Sequence, residues 1–230
     1  MGIISVLRSG DIISALIYLL STVFVVFVML PGHEFAHAFA AHKLGDDTAK
    51  WQGRMTLNPF AHIDWIGAAL ILVVGFGWAK PVPVNSYNLR RPKSDMAVIS
   101  LAGPLANLIM GFVAAFLSNG CKALTGVLPL AAAQIFFYLY AFFRYAAIIS
   151  IGLAVFNLIP VPPLDGSKIL AALLPDRLYY KLMQYERYLY FLVLILLLTG
   201  ALSTPLNYVS GWVFNFFDKI TALPFGGLLR

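Results

Sequence analysis

"IISALIYLLSTVFVVFVMLPGHEFAHAFAAH", residues 12 to 42, decides how this chain is read. Its first part, Ile12–Leu30, is apolar and uncharged, and a helix needs roughly 17 to 25 such residues to cross a bilayer. The run is too long to be only a signal-peptide core, and it is followed by His33 and Glu34 rather than by a small-residue cleavage site. Ionisable side chains are costly in a membrane and are usually functional there. The stretch predicts a membrane helix with chemistry at its end.

The rest of the chain has the same character. Of its 230 residues 60% are apolar and only 11% are charged, with a mean hydropathy of +0.83. A soluble domain carries about a quarter charged residues, so this chain has too few to cover a water-facing surface. Apolar runs recur at Ile63–Trp78, Met96–Leu117, Ala131–Pro160 and Leu189–Leu202. The longest polar stretches, Lys43–Ala61 and Lys80–Asp95, are too short to bury cores of their own. The chain therefore reads as one all-α, polytopic, membrane-embedded domain over residues 1–230. It has about four to six membrane segments and a short extended re-entrant element near the cytoplasmic face, with a metal-site core from about residue 12 to 175 and hydrophobic C-terminal segments at 186–222. Its only cysteine, Cys121, excludes an intrachain disulfide. The net charge of +6 suits anionic headgroups, and nothing resembles a nucleic-acid footprint.

Basic residues give the topology. If Ile63–Trp78 dips into the membrane and returns, Lys43, Lys50, Arg54, Lys80, Arg90, Arg91 and Lys93 share a side with Lys168, Arg177, Lys181 and Arg187. That is 11 of the 16 basic residues. Arg8, Lys122, Lys219 and Arg230 fall opposite, and Arg144 lies inside an apolar run. The rich side is then cytoplasmic. Gly67, Gly75 and Gly77 suit a bent, protein-covered re-entrant element better than a plain spanning helix.

On a helix, residues four apart share a face, so His33 and His37 can reach one metal ion. His-Glu-x-x-His is the zinc metalloprotease pattern, in which two imidazoles bind Zn²⁺ and the glutamate is general base toward the attacking water. His42 lies five residues beyond His37, turned away from that face, and reads as an interfacial side chain. A catalytic zinc site wants a third protein ligand. Asp165, in "FNLIPVPPLDGSK" (Phe156–Lys168), is the candidate. The prolines lack backbone donors and favour an extended segment that can carry a carboxylate back against a neighbouring helix. Asp165-Gly166 is equally read as a turn or helix start.

His33-Glu34-x-x-His37, followed by Asn157-Leu-Ile-Pro-x-x-Pro-Leu-Asp165-Gly166, resembles the site-2 protease family of intramembrane zinc metalloproteases. "GRMTLNPFAHID" (Gly53–Asp64), "KPVPVN" (Lys80–Asn85) and "SLAGPLAN" (Ser100–Asn107) resemble stretches of its small bacterial members. The resemblance implies one Zn²⁺ held by His33, His37 and Asp165, with Glu34 as base. It also implies Asn157 in contact with substrate or oxyanion, and a site in the cytoplasmic half of a bacterial inner membrane. The implied partners are the lipid bilayer and a transmembrane protein or peptide substrate. Many relatives carry a PDZ or CBS domain, for which this chain has no room.

Other motifs have readings of their own. Gly103, Asn107 and Gly111, four apart, form a small helix face for close packing. "KPVPVN" has proline at alternate positions, leaving Val82 and Val84 as donors on one edge; it is either a loop or a strand that pairs with substrate. His62 and Asp64 have no metal spacing. Arg144 has three readings: snorkelling, pairing with a membrane acid, or facing a wet cavity. Tyr179, Tyr180, Tyr185, Tyr188 and Tyr190 read as an interfacial belt, and Pro31 is expected to kink the first helix. Two further classes remain open, a membrane metal transporter and a non-catalytic relative that binds membrane helices.

Overall fold

A computed structural model describes residues 11–74, 79–175, 177–178 and 184–228. Arg8, Gly75, Gly77, Tyr179, Tyr180, Lys181 and Arg230 lie outside the described residues. The chain is an integral membrane protein, all-helical among those residues. Three helical stretches are long and apolar enough to cross a membrane: Ile12–Lys43, Pro92–Thr125 and Leu130–Asn157.

The first stretch comprises α1 (Ile12–Phe24), a π-turn (Val25–Met29) and α2 (Leu30–Lys43). The kink expected at Pro31 is not a break. Proline removes one backbone donor and crowds the carbonyl four residues back; here the helix widens just before it, with Leu30 N–H reaching Val25 O. After the short α3 (Thr48–Trp51), α4 covers Trp65–Val74. Its ten residues rise about 15 Å, half the roughly 30 Å of hydrocarbon. Lys80 N–H donates to His62 O at 2.8 Å, so the chain on either side of α4 meets.

The long helices α5 (Pro92–Thr125) and α6 (Leu130–Asn157) pack closely because small residues line their contact. Ala114, Ala115, Ala146 and Ala147 are buried there with Val25, Met29 and Ile151. Small side chains let backbones approach where water supplies no driving force between helices. Gly111 belongs to this contact, since a Cβ there would lie 2.9 Å from Ile151.

The proline-rich segment after α6 is not extended. Val161 N–H bonds Ile159 O, Leu164 N–H bonds Val161 O, and Pro162-Pro163 is cis. These turns lead into α7 (Asp165–Leu173), so Asp165 does start a helix. The apolar α8 (Glu186–Leu198) and α9 (Ser203–Ala222) complete the chain. Arg144 pairs with an acid: its Nη1 lies 3.8 Å from Asp218 on α9, and its guanidinium covers Phe214 and Tyr140. Tyr185 and Tyr188 are exposed, as a belt requires, but Tyr190 lines a cavity.

Candidate metal centre

The i, i+4 spacing on α2 puts both imidazoles on one side, and the turns after α6 carry a carboxylate to them. His33 Nε2 and His37 Nε2 are 3.0 Å apart, and Asp165 Oδ2 lies 3.4 and 3.2 Å from them. All three ligand atoms fall within 4.8 Å of one another. Both histidines are buried.

The far side of each ring shows which nitrogen is free. His37 Nδ1 lies 2.7 Å from Ile99 O; a carbonyl only accepts, so Nδ1 carries the proton and Nε2 keeps its lone pair. His33 Nδ1 lies 3.1 Å from Nδ2 of the fully buried Asn107. Asn107 Oδ1 has no partner, and turning the carboxamide over, an assignment made from the hydrogen-bond network, puts that oxygen against Nδ1, where it accepts from Nδ1–H and leaves Nε2 its lone pair. Two imidazole lone pairs and a carboxylate thus converge on one point. Mutual repulsion makes that set unfavourable unless a cation or extra protons sit between them. With protons, burial opposes charge on Asp165, yet hydrogen bonds from His33 and His37 outweigh it and hold the carboxyl below the usual range. With a cation, two nitrogens and one oxygen form the three-ligand set of a catalytic zinc. The residues present fit the metal.

Two glycines permit this approach. A Cβ on Gly103 would lie 2.3 Å from His37 Nε2, so α5 can touch the imidazole pair only without a side chain there. A Cβ on Gly166 would lie 2.3 Å from Leu158 O, so the turn carrying Asp165 closes only on glycine. The stripe Gly103-Asn107-Gly111 therefore has two jobs. Gly111 packs α6, as the small-residue reading holds, whereas Gly103 and Asn107 face the histidines. A buried asparagine amid glycines was the available signal, since such an amide needs a partner.

Glu34 is buried beside the pair, and its Oε2 accepts the Val82 N–H at 3.2 Å. A cavity of about 480 Å³ opens here, lined by Glu34, His37, Asp165 and Asn157 and walled by apolar Val193 and Leu197 of α8. Asn157 is the last residue of α6. His42 does not join the cluster and meets Asp47 instead. His62 Nε2 donates to Thr56 O, and Asp64 accepts the Ile66 and Gly67 N–H groups at the start of α4. Neither is a ligand.

Fold and site together define a membrane-embedded, zinc-dependent metalloprotease. The chain belongs to peptidase family M50, the site-2 proteases, whose family model matches residues 21–200. It is 44% identical over 187 residues to a Bacillus subtilis (strain 168) protein named "Putative zinc metalloprotease YwhC", covering 81% of this chain and 83% of that one. Two proteins named "Putative zinc metalloprotease Rip2" are more distant. The Mycolicibacterium smegmatis protein is 28% identical over 80% of this chain and 69% of its own. The Mycobacterium tuberculosis (strain H37Rv) protein is 27% identical over 90% of this chain and 79% of its own. No solved structure gives a significant match.

Proposed function

We propose that the chain hydrolyses peptide bonds in or near transmembrane segments, with His33, His37 and Asp165 as zinc ligands and Glu34 as general base. The observation that carries this reading is the convergence of three ligand atoms within 4.8 Å on a cavity that also contains Glu34. Zinc, when bound, acidifies a water and polarises the scissile carbonyl. Glu34 takes the proton and delivers it to the leaving amine. Val82 N–H occupies Oε2, leaving Oε1 for that transfer. The Asn157 carboxamide, on the cavity wall, donates to the developing oxyanion. A helical substrate hides its amides in intrahelical bonds, so it unwinds locally to be cut. Because Val82 N–H faces Glu34, Val84 is the residue of Lys80–Asn85 left to pair with such an unwound strand.

The whole chain acts as one membrane-embedded domain in a bacterial inner membrane, its site toward the cytoplasm. The partition of basic residues supports this orientation. The bond between Lys80 and His62 supports a re-entrant segment 63–78, because it ties entry and exit together.

Zinc stoichiometry and cleavage of membrane peptides, measured on the same purified variants, test the roles. Glu34→Gln should keep one zinc and lose roughly 10²–10⁴-fold in cleavage, as for a general base. Asp165→Ala should lose zinc affinity first, with activity following. Undiminished cleavage in Glu34→Gln refutes the mechanism, and full zinc retention in Asp165→Ala refutes the third ligand.

A further inference from the structure

The segment Lys80–Asn88 is a strap tied down along its length, and its best-built tie lies outside the metal centre. At one end Lys80 N–H donates to His62 O, and Arg54 Nη2 donates to Lys80 O at 2.6 Å. In the middle Val82 N–H donates to Glu34 Oε2. At the other end stands Asp46, three residues beyond the end of α2 and fully buried. Its Oδ2 accepts the Asn85 N–H at 2.7 Å and its Oδ1 accepts Asn88 Nδ2 at 2.7 Å. Oδ1 also accepts the Thr48 N–H at 3.1 Å and the Thr48 hydroxyl at 2.5 Å.

The Thr48 bonds are local and would suffice to turn the chain after α2. The other two reach across 39 and 42 residues and do something else. They close a frame: α2 and the turn after it lead from Glu34 to Asp46, Asp46 holds Asn85 and Asn88, and from Asn85 the strap returns three residues to Val82 on Glu34. Prolines at 81 and 83 leave Val82 and Val84 as the only backbone donors between Lys80 and Asn85. A shift of the strap by one residue would put a proline against the glutamate and leave the carboxylate without that bond.

We propose that Asp46 is a positioning residue for hydrolysis. By clamping Asn85 and Asn88 it keeps the Val82 N–H on Glu34 Oε2, which fixes the direction in which the free carboxylate oxygen points. The proposal rests on Glu34 as the base. Asp46 touches neither metal nor substrate, so its loss slows the proton transfer and spares binding.

The test uses the full-length chain in detergent with zinc loaded. Zinc content, amide exchange over residues 80–88, and kcat and KM on a membrane peptide are all measured. Asp46→Ala and the milder Asn88→Ala should keep one zinc per chain and exchange faster over the strap. Their kcat should fall roughly 10- to 100-fold, the usual effect of losing a supporting partner, with KM within about threefold. Asp46→Asn leaves an amide donor facing either the Asn85 N–H or Asn88 Nδ2 and the Thr48 N–H, and should lose similarly. A purely local role for Asp46, turning the chain through Thr48, predicts that Asn88→Ala leaves strap exchange and kcat unchanged, and that result overturns the proposal. Unchanged strap exchange, or activity falling only in step with lost zinc, overturns it as well. If Asp46→Ala does not fold, Asn88→Ala, at an exposed position, carries the same comparison. If the wild type cuts no peptide, the protease reading fails by itself. Exchange then still decides the clamp, supported by faster exchange with zinc retained and refuted by no change.

Discussion

Asn107 offers a quantitative test of how the metal centre is held. Its carboxamide is fully buried and lies 3.1 Å from His33 Nδ1. Removing it leaves a ring N–H buried with no partner, which costs about 1–3 kcal/mol. If that cost falls on the ligating form, the zinc dissociation constant rises roughly 5- to 150-fold. The substitution chosen decides where in the range the result falls. Asn107→Ala opens space that a water can enter and bridge, giving the lower end. Asn107→Leu fills the space with hydrocarbon and excludes water, giving the upper end. Asn107→Asp keeps an acceptor for Nδ1–H and should hold zinc at least as tightly as the natural residue. Chelator competition on the purified proteins reads all three constants without reference to catalysis. The ordering Asp, Ala, Leu from tightest to weakest is the expected result. Zinc binding in Asn107→Leu within about twofold of the unaltered chain would show that His33 is oriented without Asn107, and the reasoning would fail.

Three further outcomes are expected. Gly103→Ala places a Cβ 2.3 Å from His37 Nε2, so zinc affinity should collapse in chelator competition while Gly152→Ala, in open space, leaves it unchanged. Single cysteines at Lys50, Asn88 and Arg177 in a Cys121→Ser background should label from one side, opposite to native Cys121; labelling of Lys50 and Asn88 from different sides would make residues 63–78 a spanning segment. For Asp46, burial opposes charge, but the donors from Thr48, Asn88 and Asn85 outweigh it and hold its carboxyl below the ordinary 3.8. A depressed value means the clamp's contribution is complete above 3.8 and is lost as pH falls through the folded value. Strap exchange, corrected for the intrinsic pH dependence, should therefore stay protected from neutral pH down to about 4 and rise below it, an acid step absent in Asp46→Asn.

Much of this was legible in the sequence because the signals are local. Apolar runs of bilayer length announce α1, α5 and α6, and the four-residue spacing of His33 and His37 states its own geometry on any helix. Asp165 was legible only as a candidate, since its approach depends on the turns Leu158–Leu164 make, and proline-rich composition suggested extension instead. Pro31 pointed to an irregularity in the first helix but not to its form: the π-turn at Val25–Met29 precedes it, and no composition signal marks such a turn. Asn107, Gly103 and Asp46 were missed as site residues because each acts through partners far away in sequence. Glycine at 103 and glycine at 111 look identical as letters, yet one faces an imidazole and the other an isoleucine. The Val82 bond to Glu34 spans 48 residues and has no periodic signature.

The transporter alternative can be weighed on the same geometry. Moving a metal ion across a membrane calls for successive ligand sets along a path, each close enough to receive the ion from the last. Among the described residues, His33, His37 and Asp165 are the only group of three or more His, Cys, Asp or Glu able to share an ion. Three other described acids near the membrane helices have partners of their own. Asp64 holds the start of α4, Asp95 accepts the Arg91 N–H at the start of α5, and Asp218 pairs with Arg144 and Asn119. His62 is committed to Thr56 O. The site instead opens on a largely apolar cavity whose walls also carry Glu34, Asp64, Asn157, Lys80 and Lys168. An ion in transit has no use for apolar walls, whereas an unwound transmembrane segment needs them for its side chains while its carbonyl is attacked. The cavity's chemistry therefore favours a peptide as its occupant.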